Sequence, residues 1–189
     1  MTAAAEVFAA RGIATSSIND IAEAAGLTKG AVYSSFASKD DLVLALMEQH
    51  VQERLQSAAR AFDLAEAVDV GVHDLGASLM LAIHTDADWQ HLLFEYCCLA
   101  RRDPTLAAAL VVRRRESRAA VAAVITRIAE AGQVTLSMSA EDVAVTVLAL
   151  SNGLALEGGI DPTCVPEDLL PRLIALILGQ APPRWGPAR

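Results

Sequence analysis

SINDIAEAAGLTKGAVYSSFASKDDL, residues Ser17 to Leu42, is the stretch from which the fold can be read. Ile18, Ile21, Ala22 and Ala25 recur at helical spacing and give a first short helix one apolar face. Gly26 is placed to stop that helix, because glycine enters the left-handed backbone region without a Cβ penalty. Leu27, Ala31 and Val32 form the expected apolar side of a second short helix, which leaves Thr28, Lys29, Tyr33 and Ser34 facing outward. A helix-turn-helix needs a small residue where its helices cross, a tight turn, and an apolar plug beneath the second helix. Ala22, Gly26 and Val32 fit those three places.

Outward from this stretch, the chain punctuates itself as a series of helices. Ser17 with Asp20 fits a capping box, Thr28 is the expected N-cap of the second short helix, and Ser38 with Asp41 fits another capping box. The latter opens a long helix through Leu42, Leu46, Val51 and Leu55 to about Phe62, some 36 Å in length for ~24 residues. Upstream, MTAAAEVFAAR reads as a helix with Val7 and Phe8 inward and Gly12 at its end. Downstream, helices are predicted over 70–84, 87–101, 104–131, 140–157 and 166–178. Asp103-Pro104 puts proline at a first helical position, Gly132 closes the longest helix, and Ser139 with Asp142 opens the next. Pro166 suits a helix start, and Pro171 predicts an irregular or kinked first turn there. The fold expected is all-α with about nine helices. Residues 1–45 are expected to form a helix-turn-helix domain, 46–180 a helical body, and 181–189 a flexible tail.

The 189 residues are 53% hydrophobic, with alanine and leucine dominant and little alternation of β-branched and polar residues, which agrees with an all-α chain. Asp, Glu or Arg interrupts each candidate membrane span, and the start lacks a basic region followed by an apolar one, so neither membrane insertion nor a signal peptide is expected. Three cysteines with no CxxC predict neither a disulfide framework nor zinc. Reduced, buried thiols in a bacterial-type cytoplasm are the simpler expectation, ahead of redox sensing by Cys97 or Cys98. Net charge is −8. Residues 1–60 hold five Lys or Arg against seven Asp or Glu, and the remainder ten against sixteen, so any nucleic-acid binding must use a local patch.

No catalytic constellation is visible. There is no GxSxG, Walker loop or dinucleotide fingerprint, Glu95 has no evident acid partner, and no two of His73, His84 and His91 are spaced i, i+4. No enzyme activity, cofactor or metal site is expected. Arg113, Arg114, Arg115 and Arg118 read as a solvated face balanced by Glu116.

The segments 143–158 and 169–178 are apolar nearly all round, and a helix of that kind must be covered on almost every side. In so small a chain the expected cover is a second copy, giving a homodimer through a four-helix interface formed by the last two helices.

Thr15, IAEAAGLTKGAVY (Ile21 to Tyr33), Phe36 and the Ser38-Lys39 pair together resemble the DNA-binding half of TetR/AcrR-type transcriptional regulators. Two departures stand out. Ser34 and Ser35 occupy a gap where the family often carries His or another ring, and the first helix begins later than is usual after a basic arm. Position alone lets Lys29 reach a guanine edge or a phosphate, lets Thr28 and Ser34 bond to either, and lets the backbone at Gly30 approach closely. The resemblance implies that Tyr33 and Lys39 hold phosphates, with Thr15 and Ser17 beside them at a helix N-terminus. WQHLLFEYCCLARR, residues Trp89 to Arg102, concentrates aromatic residues in an aromatic-poor chain. Core packing explains that stripe. The resemblance also implies an effector pocket among these helices, lined by Trp89, Leu93, Phe94, Tyr96 and Cys97 and closed by His84 and Asn152. The implied function is a homodimeric repressor on a pseudo-palindromic double-stranded operator, released by a small-molecule effector. The alternatives are an activator, or an all-α binding protein with weak or lost DNA affinity.

Overall fold

The computed structural model describes residues 1–63 and 68–178, and all regular structure among them is α-helical. In chain order the helices are α1 (Thr2–Arg11), α2 (Ile18–Ala24), α3 (Lys29–Ser35), α4 (Lys39–Asp63), α5 (Val68–Thr85), α6 (Ala87–Ala100), α7 (Pro104–Ala131), α8 (Ala140–Ile160) and α9 (Leu169–Ile177). Among the described residues, Met1–Val51 with Ala87–Arg115 form one compact unit, and those of 52–86 with those of 116–178 form another. Both α4 and α7 therefore begin in the first unit and end in the second. The expected tail, 181–189, lies outside the described residues.

In the first unit, local signals fix each helix end. Ser17 and Asp20 form a reciprocal capping box at the start of α2. At its end Gly26 takes φ 65°, its amide donates to the Glu23 carbonyl, and the Leu27 amide reaches back to Ala22. These are the two bonds of a Schellman turn. The core joins Phe8, Ile13, Ile18, Ile21, Val32, Leu42 and Val43 to Leu92, Leu93 and Tyr96 of α6. Each such large side chain contributes about 1.5–3 kcal/mol by leaving water. Thus α6, in the segment expected to belong to a separate body, shares a core with the helix-turn-helix.

In the second unit, α5 lies hard against α9. A Cβ added at Gly76 would stand 2.5 Å from the Pro171 Cα, so only glycine permits this approach. The core gathers Val72, Leu75 and Ile83 of α5, Ile125 and Ile128 of α7, Val143 and Ala144 of α8, and Leu170 and Ile174 of α9.

Two sequence expectations need correction here. Helix α9 begins at Leu169, not at Pro166, and Pro171 falls within its first turn, where an amide has no intrahelical acceptor to lose. Pro171 therefore sits in the helix without cost to its hydrogen bonding. Helix α7 ends at Ala131, with Gly132 closing it as expected, and the left-handed residue just beyond is Gln133 with φ 51°. Helix α8 is also long and apolar enough to cross a membrane by length and composition, since its charges cluster near its two ends instead of breaking its middle. The core helices of soluble proteins pass the same measure.

Candidate nucleic-acid interface

The candidate reading head is α2, the Gly26 turn and α3. The Thr28 hydroxyl accepts the Ala31 amide at 3.2 Å and starts α3, as its position predicts. Only Val32 of α3 is buried. Leu27, 55% exposed, and the exposed Ala31 and Ala25 do not join the apolar face expected of them. The Schellman turn puts Leu27 on the outside, and two seven-residue helices share just a narrow stripe. Lys29, Gly30, Tyr33 and Ser34 are all exposed. The Lys29 ammonium lies 5.8 Å from the centroid of the Tyr33 ring, within cation–π range, so the cation and the ring are presented as a pair.

Hydroxyl groups on this surface are largely engaged. Thr15 donates to the Arg11 carbonyl, Ser17 to Asp20 Oδ2 at 2.6 Å, and Ser34 to the Ala31 carbonyl at 2.7 Å. The Ser17 hydroxyl, with its amide, holds the Asp20 carboxyl below its usual range, and Arg11 at 2.9 Å reinforces this. Lys39, expected on a phosphate, donates from Nζ to the Ile13 carbonyl at 2.7 Å and the Ser16 carbonyl at 2.9 Å.

The residues expected to line an effector pocket fall in different units. Leu93 and Tyr96 are buried in the core of the first unit, with Trp89 and Cys97 packed against it. His84 and Asn152 belong to the second. Phe94 is half-buried, as is Asn152, and His84 is exposed with Nδ1 donating to the Met80 carbonyl at 2.9 Å. The Tyr96 hydroxyl has no hydrogen-bond partner among the described residues, and burial, with Asp40 and Asp103 adding, pushes its pKa up to about 12. Burial also raises the Cys97 thiol, against the pull of Arg114. Cys98 and Cys164 are exposed, contrary to the buried thiols expected, because each lies on an outer helix or loop surface. Arg113 pairs with Glu48 of α4 at 2.9 Å, so the arginine run is not wholly a solvated face. No group of three or more His, Cys, Asp or Glu converges among the described residues.

Two partnerships have no sequence signal. His50 stacks on Trp89 with ring centroids 3.9 Å apart and 17° between planes. Glu95 accepts the amides of Ile13 and Ala14, more than eighty residues away. Spacing along a chain cannot reveal either.

Comparison with known proteins agrees with this architecture. Residues 1–46 match the family described as bacterial regulatory proteins, tetR family. Residues 77–180 match the C-terminal part of BetI-type transcriptional repressors. The chain is 42% identical over 67 residues to the HTH-type transcriptional regulator TtgR of Pseudomonas putida, covering 35% of this chain and 31% of that one. It is 36% identical over 61 residues to the HTH-type transcriptional activator FasR of Mycolicibacterium smegmatis, covering 32% and 28%. The match thus spans less than a third of the length of either relative. The fold is similar to that of the transcriptional regulator FadR from Bacillus subtilis in complex with stearoyl-CoA, with TM-score 0.68, 14% identity and 94% of each chain covered. With a family match over the helix-turn-helix and another over more than half of the chain, the protein belongs to the TetR family of bacterial transcriptional regulators, which are not enzymes.

Proposed function

We propose that the protein is a homodimeric repressor that binds a pseudo-palindromic operator and is released by a small apolar or amphipathic effector. The observation that carries the reading is the exposed face of α3, where Lys29, Gly30, Tyr33 and Ser34 stand clear of the core behind a Schellman turn. Lys29 and Thr28 would reach base edges or phosphates and Tyr33 a phosphate, while Thr15 and Ser17 would donate to the flanking backbone only by exchanging their internal hydrogen bonds for it. Two heads would enter successive major grooves about 34–36 Å apart. The second copy would cover α8 and α9, where Val145, Leu156, Ile160 and Leu176 are 49%, 46%, 74% and 56% exposed. Four large apolar side chains in water are unfavourable, and a two-fold contact would bury them.

The effector would occupy the C-terminal helices of the second unit, with His84 and Asn152 as polar contacts. It shifts the dimer only by binding the released form more tightly, and a near-complete switch needs about 5.5 kcal/mol of preference. The stearoyl-CoA held by the B. subtilis regulator makes that acyl-CoA a reasonable first probe. Action on DNA in the cytoplasm follows from this reading.

Selection of duplexes from a random pool, followed by salt titrations, tests the DNA-binding claim. Lys29→Ala and Tyr33→Ala should each weaken binding by about 1–3 kcal/mol. Binding indifferent to both would remove α3 as the reading helix. Reporter expression that rises with the protein would reverse the sign and favour activation, the activity named for FasR.

A further inference from the structure

Residues 12–17 join α1 to α2 outside any regular ladder, so their main-chain groups need partners from elsewhere. They are held on two sides. From α6, Glu95 Oε2 accepts the Ile13 amide at 2.8 Å and Oε1 accepts the Ala14 amide at 2.9 Å. From the start of α4, Lys39 Nζ donates to the Ile13 and Ser16 carbonyls. Ile13, itself buried, is thus gripped at its N–H by a carboxylate and at its C=O by an ammonium. Gly12 permits the approach: its φ is 79°, and a Cβ there would lie 3.3 Å from both Glu95 oxygens. All of these residues lie in the first compact unit.

A solvated surface carboxylate has no need to turn both oxygens onto consecutive main-chain amides. Bonds to an ionised group are roughly twice as strong as neutral ones. Two bonds from one planar group fix direction as well as distance. The segment they hold runs straight into the Ser17 capping box and α2, and α3 follows through the Gly26 turn. Its pose is therefore the pose of the reading helix.

We propose that Glu95 and Lys39 form a two-sided bracket on the α1–α2 junction and act as positioning residues for DNA binding, Glu95 fastening the reading head to α6 and Lys39 fastening it to α4. This rests on the DNA-binding function proposed above. Lys39 already gives two of its three N–H bonds to main-chain carbonyls, and its part in operator affinity is to hold the head.

Salt dependence separates positioning from phosphate contact. Losing one phosphate contact lowers the slope of log K against log salt by about 0.9, whereas misplacing the head lowers affinity at every salt. The full chain would be titrated at several KCl concentrations with a duplex recovered by its own selection, using wild type, Glu95→Gln, Glu95→Ala, Lys39→Met and Lys29→Ala. Glu95→Ala and Lys39→Met should bind at least about tenfold more weakly with the wild-type slope. Glu95→Gln, which keeps one acceptor oxygen, should fall between. Lys29→Ala should lower the slope by about one. Amide exchange at Ile13 and Ala14 should quicken in both Glu95 variants while the core of α8 stays protected. If Glu95→Ala loses its helical circular dichroism, Glu95→Gln decides. A Lys39→Met slope reduced like that of Lys29→Ala, or Glu95 variants of wild-type affinity, would overturn the bracket while leaving DNA binding intact. A wild-type protein that enriches no duplex would overturn the DNA-binding function, and the bracket's role with it.

Discussion

Helices α3 and α8 each bury few residues fully, Val32 in the one and Val143, Ala144 and Ala155 in the other, yet the side chains they leave exposed differ in chemistry. What α3 leaves uncovered is a cation, a phenol, a hydroxyl and a bare glycine backbone. The large apolar side chains that α8 leaves exposed are Val145, Leu156 and Ile160, between acidic residues near its two ends. Water hydrogen-bonds to the first set and gains nothing from the second, so the two exposed surfaces suit different partners. One surface can wait in solvent for a polyanion; the other calls for an apolar partner.

The largest effect should come from making α8 resemble α3. Val145→Lys with Leu156→Lys would put two charges on the apolar face, and burying them unpaired should weaken self-association at least about 100-fold. Sedimentation equilibrium reads this directly, with Lys29→Ala as the control that leaves assembly unchanged. A double variant that dimerises like wild type would place the interface elsewhere.

The inner faces sharpen the contrast. Gly76→Ala drives a methyl into the Pro171 backbone and should cost about 1–3 kcal/mol, seen as a lower denaturant midpoint. A neutral outcome would mean that α5 and α9 are free to part. The first unit faces the milder test of Tyr96, whose buried hydroxyl lacks a partner. At pH 7 Tyr96→Phe should lie within about 1 kcal/mol of wild type, because no bond is lost. The folded pKa is raised to about 12, while the unfolded chain ionises near 10. The folded state then holds more protons between those values, and wild-type stability should fall as pH rises through that window, by up to about 2–3 kcal/mol. Urea titrations at pH 9 and 11.5 should show that Tyr96→Phe loses this decline.

What was legible in the sequence was local. Ser17 with Asp20, Gly26, Thr28, and Ser139 with Asp142 each act within four residues, and each helix end they announced is present. The head's hydrogen-bonded frame was not legible, because Glu95 meets Ile13 across 82 residues and Lys39 meets it across 26. Nor could spacing show that Leu93 and Tyr96 pack beneath the helix-turn-helix, since an apolar stripe names no partner. Gly76 carried no local turn signal, and its reason is a proline nearly a hundred residues on. The fold was written in short-range punctuation. The candidate site needed side chains brought together from afar.

The engaged hydroxyls have a chemical consequence for what the head can recognise. Ser34, Ser17 and Thr15 have already given away their only proton, to a carbonyl or a carboxylate. A phosphate oxygen offers them nothing unless that internal bond is broken, but their lone pairs can still receive. Facing a base edge, Ser34 would therefore suit the exocyclic amines of adenine and cytosine better than the acceptors of guanine. Thr28 is the reverse: its oxygen takes the Ala31 amide, so its hydrogen remains to be offered. Two hydroxyls six residues apart would thus offer opposite hydrogen-bonding character, Ser34 as acceptor and Thr28 as donor.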